Sequence, residues 1–206
     1  MRQGERMATL WFLTHPQVGI DAAVPVPQWG LSDVGRTRAE AFARARLLDE
    51  VTSIWCSTET KARETAALIA GETGITILER GDLGENDRSA TGFLLPQEFE
   101  AVADEFFARP EVSVRGWERA VDAQGRIVTA VTELLADERS GAGDVLVVAH
   151  GAVGTLLLCH LLGRPITRQL DQLGQLGQLG AGGNVFASDR VTLRPRGTWQ
   201  PLESLL

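Results

Sequence analysis

The sequence predicts an α/β protein of three layers (α/β/α), in which a mostly parallel central sheet carries helices on both faces. Segments of strand length alternate along the chain with segments of helical periodicity, which is typical of parallel sheets. Asp144–Ala149 (DVLVVA) is continuous and rich in valine, as expected of a strand buried on both faces. With 206 residues, the chain is long enough for one such domain and short for two.

The first part of the chain alternates short apolar runs with helical segments. The predicted strands there are residues 8–14, 52–56 and 75–78. The predicted helices are residues 33–48, capped by Ser32 or Asp33, and residues 59–70, ending at Gly71. Polar residues punctuated by glycine then indicate a loop over 81–95.

The second part of the chain places helices around one more strand. Pro96 fits the first turn of a helix that spans 96–108. Apolar residues at helical spacing predict another helix over 117–139. Asp144–Ala149 follows as the central strand, and a helix over 153–162 begins almost at once.

The end of the chain is less regular. Residues 172–180 read Gln-Leu-Gly three times, and this three-residue spacing fits neither a strand nor an α-helix. We interpret 172–183 as a glycine-rich surface loop lengthened by the repeat, with a substrate flap as the alternative. A hairpin of residues 185–187 and 190–193 is predicted at an edge of the sheet.

Composition excludes several classes of partner. The formal net charge of −7 argues against nucleic acid, because phosphate backbones are bound by basic surfaces. No segment approaches the roughly 18 apolar residues of a membrane span, and the first apolar run is too short for a signal peptide. We therefore expect a cytoplasmic protein without a membrane partner. Cys56 and Cys159 lie in apolar runs and are interpreted as buried free thiols.

Two of the three histidines come directly after predicted strands. His15 follows the first strand and His150 follows Asp144–Ala149, whereas His160 lies inside a helix and is interpreted as structural. Ligands of such sheets gather at the carboxyl ends of the strands. Gly151 opens a helix whose free N–H groups form an anion site. A histidine pair beside an anion site suits phosphate chemistry.

Five motifs follow one another between residues 8 and 163. They are Thr14-His15-Pro16, the segment LSDVGRTRA from Leu31, the segment STETKARETA from Ser57, Leu83-Gly84-Glu85, and Ala149-His150-Gly151. The series resembles the histidine phosphatase superfamily, which includes phosphoglycerate mutases and many small-molecule phosphatases. The family patterns are Arg-His-Gly, Leu-Thr-x-x-Gly-x-x-Gln-Ala, Ser-x-x-x-Arg-Ala-x-x-Thr-Ala, Leu-x-Glu and His-Gly. Each motif is weak by itself, but five in the same order are fairly specific.

The resemblance implies a phosphoglycerate mutase-like fold and a role for each matching residue. His15 is then the nucleophile that forms a phosphohistidine, and Glu85 is the general acid. Asp82 and Asp87 in the same loop are the other carboxylates to consider. His150 stabilises charge on the equatorial oxygens, Ser57 lends a hydrogen bond, and Gly151 adds backbone donors. The resemblance implies no metal and no cofactor.

The departures from the family patterns concern its phosphate-binding arginines. Thr14 replaces the first, and Lys61 replaces the second, although a lysine is a point charge and cannot bind phosphate as a bidentate fork. Pro16 also removes a backbone donor. Arg88 is the candidate that compensates for the lost charge, and the alternative is a surface arginine paired with Asp87. The predicted phosphate-binding residues are Thr14, Ser57, Lys61, Arg88 and Gly151.

The function that these residues predict is a metal-independent phosphohydrolase of the histidine acid phosphatase type. It acts on a small phosphorylated metabolite, a phosphomonoester. A phosphate-binding or regulatory protein without turnover is the alternative, and a phosphoglycerate-type mutase is a third. Residues 1–206 are expected to form one domain, in which an insert over about 86–116 covers the substrate. A homodimer is left open.

Overall fold

The structure, a computed structural model, describes residues 7–172 and 182–206. Six strands form one sheet in the order β3-β2-β4-β1-β5-β6. The strands are β1 (Thr9–Thr14), β2 (Val51–Ser57), β3 (Ile77–Arg80), β4 (Asp144–Ala149), β5 (Asn184–Asp189) and β6 (Gln200–Pro201). The first four in chain order run parallel, and β5 and β6 add an antiparallel edge. The predicted mostly parallel sheet is confirmed.

Helices cover both faces of the sheet, as predicted. They are α1 (Asp33–Phe42), α2 (Thr60–Thr73), α3 (Pro96–Ala108), α4 (Ala120–Ala136) and α5 (Gly151–Leu161). Buried residues of α3, α4 and α5 pack with Phe12 and Val147 on one face. Those of α1 and α2 pack with Leu13 and Val148 on the other. Because neighbouring residues of a strand point to opposite faces, the apolar runs of β1 and β4 supply both cores.

The limits of several elements differ from the sequence prediction. The helix predicted over 33–48 ends at Phe42, where tight i to i+3 hydrogen bonds from Arg44 and Ala45 close its last turn. The helix predicted to end at Gly71 continues to Thr73, and Gly74 ends it in the left-handed conformation with φ of 71°. The third strand lies two residues later than predicted, and α4 is three residues shorter at each end.

The hairpin predicted from residues 185–187 and 190–193 is correct in its first strand, which lies within β5, and wrong in its second, because residues 190–193 are not a strand. The side chain of Asp189 accepts hydrogen bonds from the N–H groups of Val191 and Thr192 and folds the chain into a turn. β5 therefore pairs with β1 on one side and with β6 on the other. The repeat loop predicted over 172–183 lies, from 173 to 181, outside the described residues.

Both cysteines are buried free thiols, as predicted. None of the helices in the described ranges is both long and apolar enough to cross a lipid bilayer.

Candidate active site

His15 and His150 meet because β1 and β4 are neighbouring parallel strands. Thr14 pairs with Ala149 in the sheet, so the residues that follow both strands leave it side by side. The backbone N–H of His15 also donates to the carbonyl of Ala149 at 3.1 Å. The two imidazole rings stand edge to face, with their centroids 5.2 Å apart. The structure thus brings the two predicted catalytic histidines together at the carboxyl edge of the sheet.

His15 is held in one tautomer by its own loop. Its Nδ1 lies 2.8 Å from the carbonyl oxygen of Pro16, and because a carbonyl only accepts, Nδ1 carries the proton. Burial lowers the pKa of His15 from 6.5 to about 4, with a smaller contribution from the positive charge of Lys61. At neutral pH His15 is therefore uncharged, and the lone pair on Nε2 is available to a substrate.

His150 is fully buried and contacts Ser57, another residue predicted for the site. Its Nε2 lies 2.8 Å from Ser57 Oγ and 3.4 Å from Glu59 Oε1, and the carboxylate favours a proton on Nε2. Burial, together with the neighbouring His15, lowers the pKa of His150 well below its usual value. His150 is thus a neutral donor at pH 7. Its Nδ1 is buried and has no hydrogen-bond partner within the described part of the chain.

Glu59 is a site residue that the sequence analysis missed. Its carboxylate accepts a hydrogen bond from the ammonium of Lys61 and another from the N–H of Glu85 at 2.8 Å. Lys61 is only 3% exposed, and its ammonium also donates to the carbonyl of Val26 at 3.0 Å. The signal that could have found Glu59 is its position two residues after Ser57, at the carboxyl end of β2. The cation predicted to bind phosphate therefore already holds a carboxylate of the same chain.

Glu85, the predicted general acid, lies at the N-terminus of α5. Its carboxylate accepts from the N–H groups of Ala152 at 3.2 Å and Val153 at 3.1 Å. These are two of the free N–H groups in the first turn of the helix, so Glu85 occupies part of the predicted anion site. Of the two competing carboxylates, Asp82 pairs with Arg80, and Asp87 accepts from the N–H of Ser89. Among the three, Glu85 alone contacts the helix that follows His150.

Arg88 faces the site, as the compensating arginine was predicted to do. Its guanidinium lies over the rings of Phe99 and Trp117, at 5.1 and 5.6 Å from their centroids. One guanidinium nitrogen lies 4.0 Å from Glu85 Oε2. The alternative, a pair with Asp87, is not what the structure contains. Each of the two site cations, Lys61 and Arg88, thus has a carboxylate as its neighbour.

Thr14 was predicted to bind phosphate, and the structure corrects this. Its hydroxyl donates to Gln172 Oε1 at 2.9 Å and accepts from the backbone N–H of Asn184 at 3.0 Å. A hydroxyl has one proton, so none is left for a ligand. Gly151 is placed as predicted, as the first residue of α5, directly after His150.

A cavity of about 670 Å³ opens beside this group of residues. Glu59, Glu85 and Arg88 line it, whereas His15 and His150 are not among its lining residues. The opposite wall consists of the apolar loop 22–27 and of Phe93, whose ring packs 5.6 Å from that of Trp29. The volume suits a small molecule that has both a charged and an apolar part.

The motif order and the geometry agree with a known family. The family model of the histidine phosphatase superfamily (branch 1) matches residues 19–178. The chain belongs to this superfamily. The match begins after His15, so Thr14-His15-Pro16 lies outside it. No curated protein is similar enough to this chain to count as a match.

Solved structures of other proteins share the fold of this superfamily member. Mycobacterial glucosyl-3-phosphoglycerate phosphatase with inorganic phosphate is 24% identical, with a TM-score of 0.74 over 95% of this chain and 99% of the other. YhfR of Bacillus stearothermophilus is 22% identical, with a TM-score of 0.69 over 94% of each chain. A putative alpha-ribazole-5'-P phosphatase from Escherichia coli is 16% identical, with a TM-score of 0.62 over 95% and 96% of the chains. The likeness to all three extends over nearly the whole chain and establishes the fold.

Proposed function

We propose that this protein hydrolyses a small phosphomonoester through a phosphohistidine on His15. The observation that carries the proposal is the fixed tautomer of His15. A neutral imidazole with its proton on Nδ1 presents the Nε2 lone pair as a nucleophile. The centroid of this ring lies 5.2 Å from that of the His150 ring. The family and the phosphatase names of the structural neighbours support the same reaction class.

In the first step, Nε2 of His15 attacks the phosphorus atom. The bond from phosphorus to the ester oxygen breaks, and Glu85 in its acid form gives its proton to the leaving alkoxide. His150 donates from Nε2 to a phosphoryl oxygen, where negative charge accumulates. The products are the alcohol and phosphohistidine.

In the second step, water attacks the phosphorus atom and the bond to Nε2 breaks. Glu85, now ionised, takes a proton from that water, so it ends the cycle in its original state. Inorganic phosphate leaves, and His15 is again neutral. Glu59 is another carboxylate of the site and lies 3.4 Å from Nε2 of His150. Comparing Glu59→Gln with Glu85→Gln identifies the proton donor.

The size and lining of the cavity support a substrate class. We expect a small phosphorylated metabolite with an apolar or aromatic group, which loop 22–27 and Phe93 would contact. With two cations, each beside a carboxylate, the site suits one phosphoryl group better than the two that a mutase holds.

The test is hydrolysis of para-nitrophenyl phosphate by the full chain and by His15→Ala. We expect turnover that is lost by about 1000-fold or more in His15→Ala, and an alkali-stable phosphoenzyme in the unaltered protein after rapid quenching. His160→Ala is the matched control, because His160 is the third histidine and is exposed on α5. Absence of turnover over a broad panel of phosphomonoesters, with no phosphoenzyme trapped, would contradict the proposal.

A second candidate function is anion binding without turnover. The pairing of Lys61 with Glu59 favours it, because the charge of this site cation is already neutralised. Tight binding of phosphate by a protein that forms no phosphoenzyme would select this candidate.

A further inference from the structure

Arg126 on α4 holds the loop that carries Glu85, the proposed proton donor. Its guanidinium donates to three backbone carbonyls of that loop, those of Asp82 at 2.8 Å, Gly84 at 2.9 Å and Glu85 at 3.2 Å. Its two remaining N–H groups donate to the carboxylate of Glu118, at 3.0 and 2.8 Å. Because a guanidinium has five N–H donors, every donor of Arg126 is used inside the protein.

Glu118 extends this attachment to the far end of the loop. Its carboxylate also accepts from the backbone N–H of Asp87 at 3.1 Å, and its own N–H donates to the carbonyl of Asp87 at 2.9 Å. The side chains of Arg126 and Glu118 are 25% and 18% exposed, so the pair is largely shielded from water. The pair therefore fixes the course of the backbone on both sides of Glu85.

The backbone of Glu85 itself is held by charged side chains at both of its polar groups. Its N–H donates to Glu59 Oε1 at 2.8 Å, and its carbonyl accepts from Arg126. Its carboxylate then reaches the N–H groups of Ala152 and Val153 at the start of α5. Within the described ranges Arg126 forms no ion pair with that carboxylate, and it is not among the residues that line the cavity. Its effect on Glu85 thus passes through the backbone.

We propose that Arg126 is a positioning residue, which holds the loop so that the carboxyl group of Glu85 stays at the start of α5, within reach of the leaving oxygen, and that Glu118 keeps Arg126 in this orientation. The inference rests on the proposed function, in which Glu85 is the proton donor. A general acid must lie within hydrogen-bond reach of the oxygen that it protonates, and such groups have to be held to within about 0.5 Å.

The direct test compares kcat/KM of Arg126→Lys for two substrates with different leaving groups. Lysine keeps the charge, but its three donors on one nitrogen cannot bind three carbonyls and a carboxylate. Phenyl phosphate releases a poor leaving group that needs a proton, whereas 2,4-dinitrophenyl phosphate releases a phenolate that leaves unprotonated. We expect kcat/KM to fall about 30-fold for phenyl phosphate and less than about 3-fold for the dinitrophenyl ester. A merely structural loss would lower both values by the same factor.

Arg119→Lys is the matched control. It makes the same change at an exposed residue directly before α4, whose side chain pairs with Asp122, and should leave both values within about 2-fold. Glu118→Gln is a second variant, because it removes the countercharge of the guanidinium, and it should reproduce the selective loss for phenyl phosphate at about 10-fold. Circular dichroism and urea unfolding establish that each variant is folded.

The position of Glu85 is also measurable without turnover. Because its carboxylate accepts from the amides of Ala152 and Val153, hydrogen exchange of these two amides reports whether it stays at the start of α5. In Arg126→Lys we expect both amides to exchange at least about 5-fold faster in NMR spectra, and Leu157, in the middle of the same helix, to exchange at an unchanged rate.

Exchange and turnover together separate this inference from the proposed function. Faster exchange at Ala152 and Val153 in Arg126→Lys, but not in Arg119→Lys, supports the positioning role even if the unaltered protein hydrolyses no phosphomonoester. Unchanged exchange in folded Arg126→Lys, or an equal loss of kcat/KM for the two substrates, overturns that role, even if His15→Ala abolishes hydrolysis.

Discussion

Replacing Glu59 by glutamine is expected to tighten phosphate binding, although it removes a buried ion pair. Glu59 contacts the ammonium of Lys61 and lies 3.4 Å from Nε2 of His150, which are two groups that a phosphoryl group would use. In the resting protein its carboxylate thus competes with the substrate for both. The variant keeps the shape of the side chain and removes its charge.

The magnitude follows from Coulomb's law. For a phosphate dianion about 6 Å from a carboxylate, the repulsion is about 5.5 kcal/mol at an effective dielectric constant of about 20. The cavity opens to solvent and salt screens these charges, so we take between a quarter and a half of that value, about 1.4–2.8 kcal/mol. This corresponds to a dissociation constant for phosphate that is about 10- to 100-fold lower.

The same variant is expected to be less stable without phosphate. Lys61 is 3% exposed, and in the variant its ammonium has neutral acceptors, the carbonyl of Val26 and the new amide oxygen, in place of a carboxylate, so its charge loses its counterion. Removing one partner of a buried ion pair costs about 3 kcal/mol of the free energy of unfolding. Saturating phosphate should restore most of this loss, because the anion replaces the carboxylate.

The assay is calorimetric titration with phosphate, together with urea unfolding at zero and saturating phosphate. Glu79→Gln is the matched control, because the Glu79–Arg63 pair has side chains that are 42% and 50% exposed and lies outside the site. That control should lose less than about 1 kcal/mol of stability and keep its phosphate affinity. Phosphate binding by Glu59→Gln that is equal to or weaker than that of the unaltered protein, in a folded sample, would refute the competition between Glu59 and the substrate.

Three further predictions concern pH, packing and Arg88. Because burial lowers the pKa of His15 from 6.5 to about 4, the unfolded chain binds more protons than the native protein between these values, and stability falls as the pH drops through that window. In urea titrations the unaltered protein should lose about 2–3 kcal/mol more between pH 7 and pH 4 than His15→Asn does, and equal losses would contradict the shift. Gly154→Ala should lower the free energy of unfolding by about 1–3 kcal/mol, because a Cβ would lie 2.6 Å from Phe12 and 2.7 Å from Trp199. At Gly125 on α4 a Cβ would meet open space, so Gly125→Ala should raise the free energy of unfolding by about 0.5–1 kcal/mol. Chemical denaturation of both variants checks that the two changes in the free energy of unfolding have opposite signs. Arg88→Ala should lower kcat/KM for a phosphomonoester about 10- to 100-fold. Arg115 has an exposed side chain that pairs with Glu98, so Arg115→Ala is the control and should leave steady-state kinetics unchanged. Equal kcat/KM values for the two variants would show that Arg88 does not act in the site.

The location of the site was predictable because it depends on local pattern. β4 continues from Asp144 into an apolar run, residues 145–149, and every residue of the strand is buried in the sheet. A strand with apolar residues on both faces lies at the centre of a parallel sheet, and its carboxyl end opens toward ligands. That reasoning placed His15 and His150 at one edge of the sheet, and in the structure the centroids of their rings lie 5.2 Å apart.

The edge of the sheet was not predictable in the same way. Residues 190–193 have the composition of a strand, but three donors to the side chain of Asp189 hold them in a turn. The strand partner is instead Gln200–Pro201, two residues that carry no strand pattern at all. Side-chain hydrogen bonds within a turn compete with sheet pairing, and short apolar runs do not reveal which of the two prevails.

The sequence by itself determined the fold class, the two histidines at the strand ends and the departure from Arg-His-Gly, because each depends on neighbours in the chain. Only the tertiary structure decided how the charges of the site are balanced. The ammonium of Lys61 donates to the carboxylate of Glu59, and the carboxylate of Glu85 accepts from an N–H group at the start of α5. The hydroxyl of Thr14 donates to Gln172, which is 158 residues away in the chain. The physical reason is that a side chain with several donors or acceptors within reach takes the partners that packing brings closest, and packing joins segments that are distant in sequence.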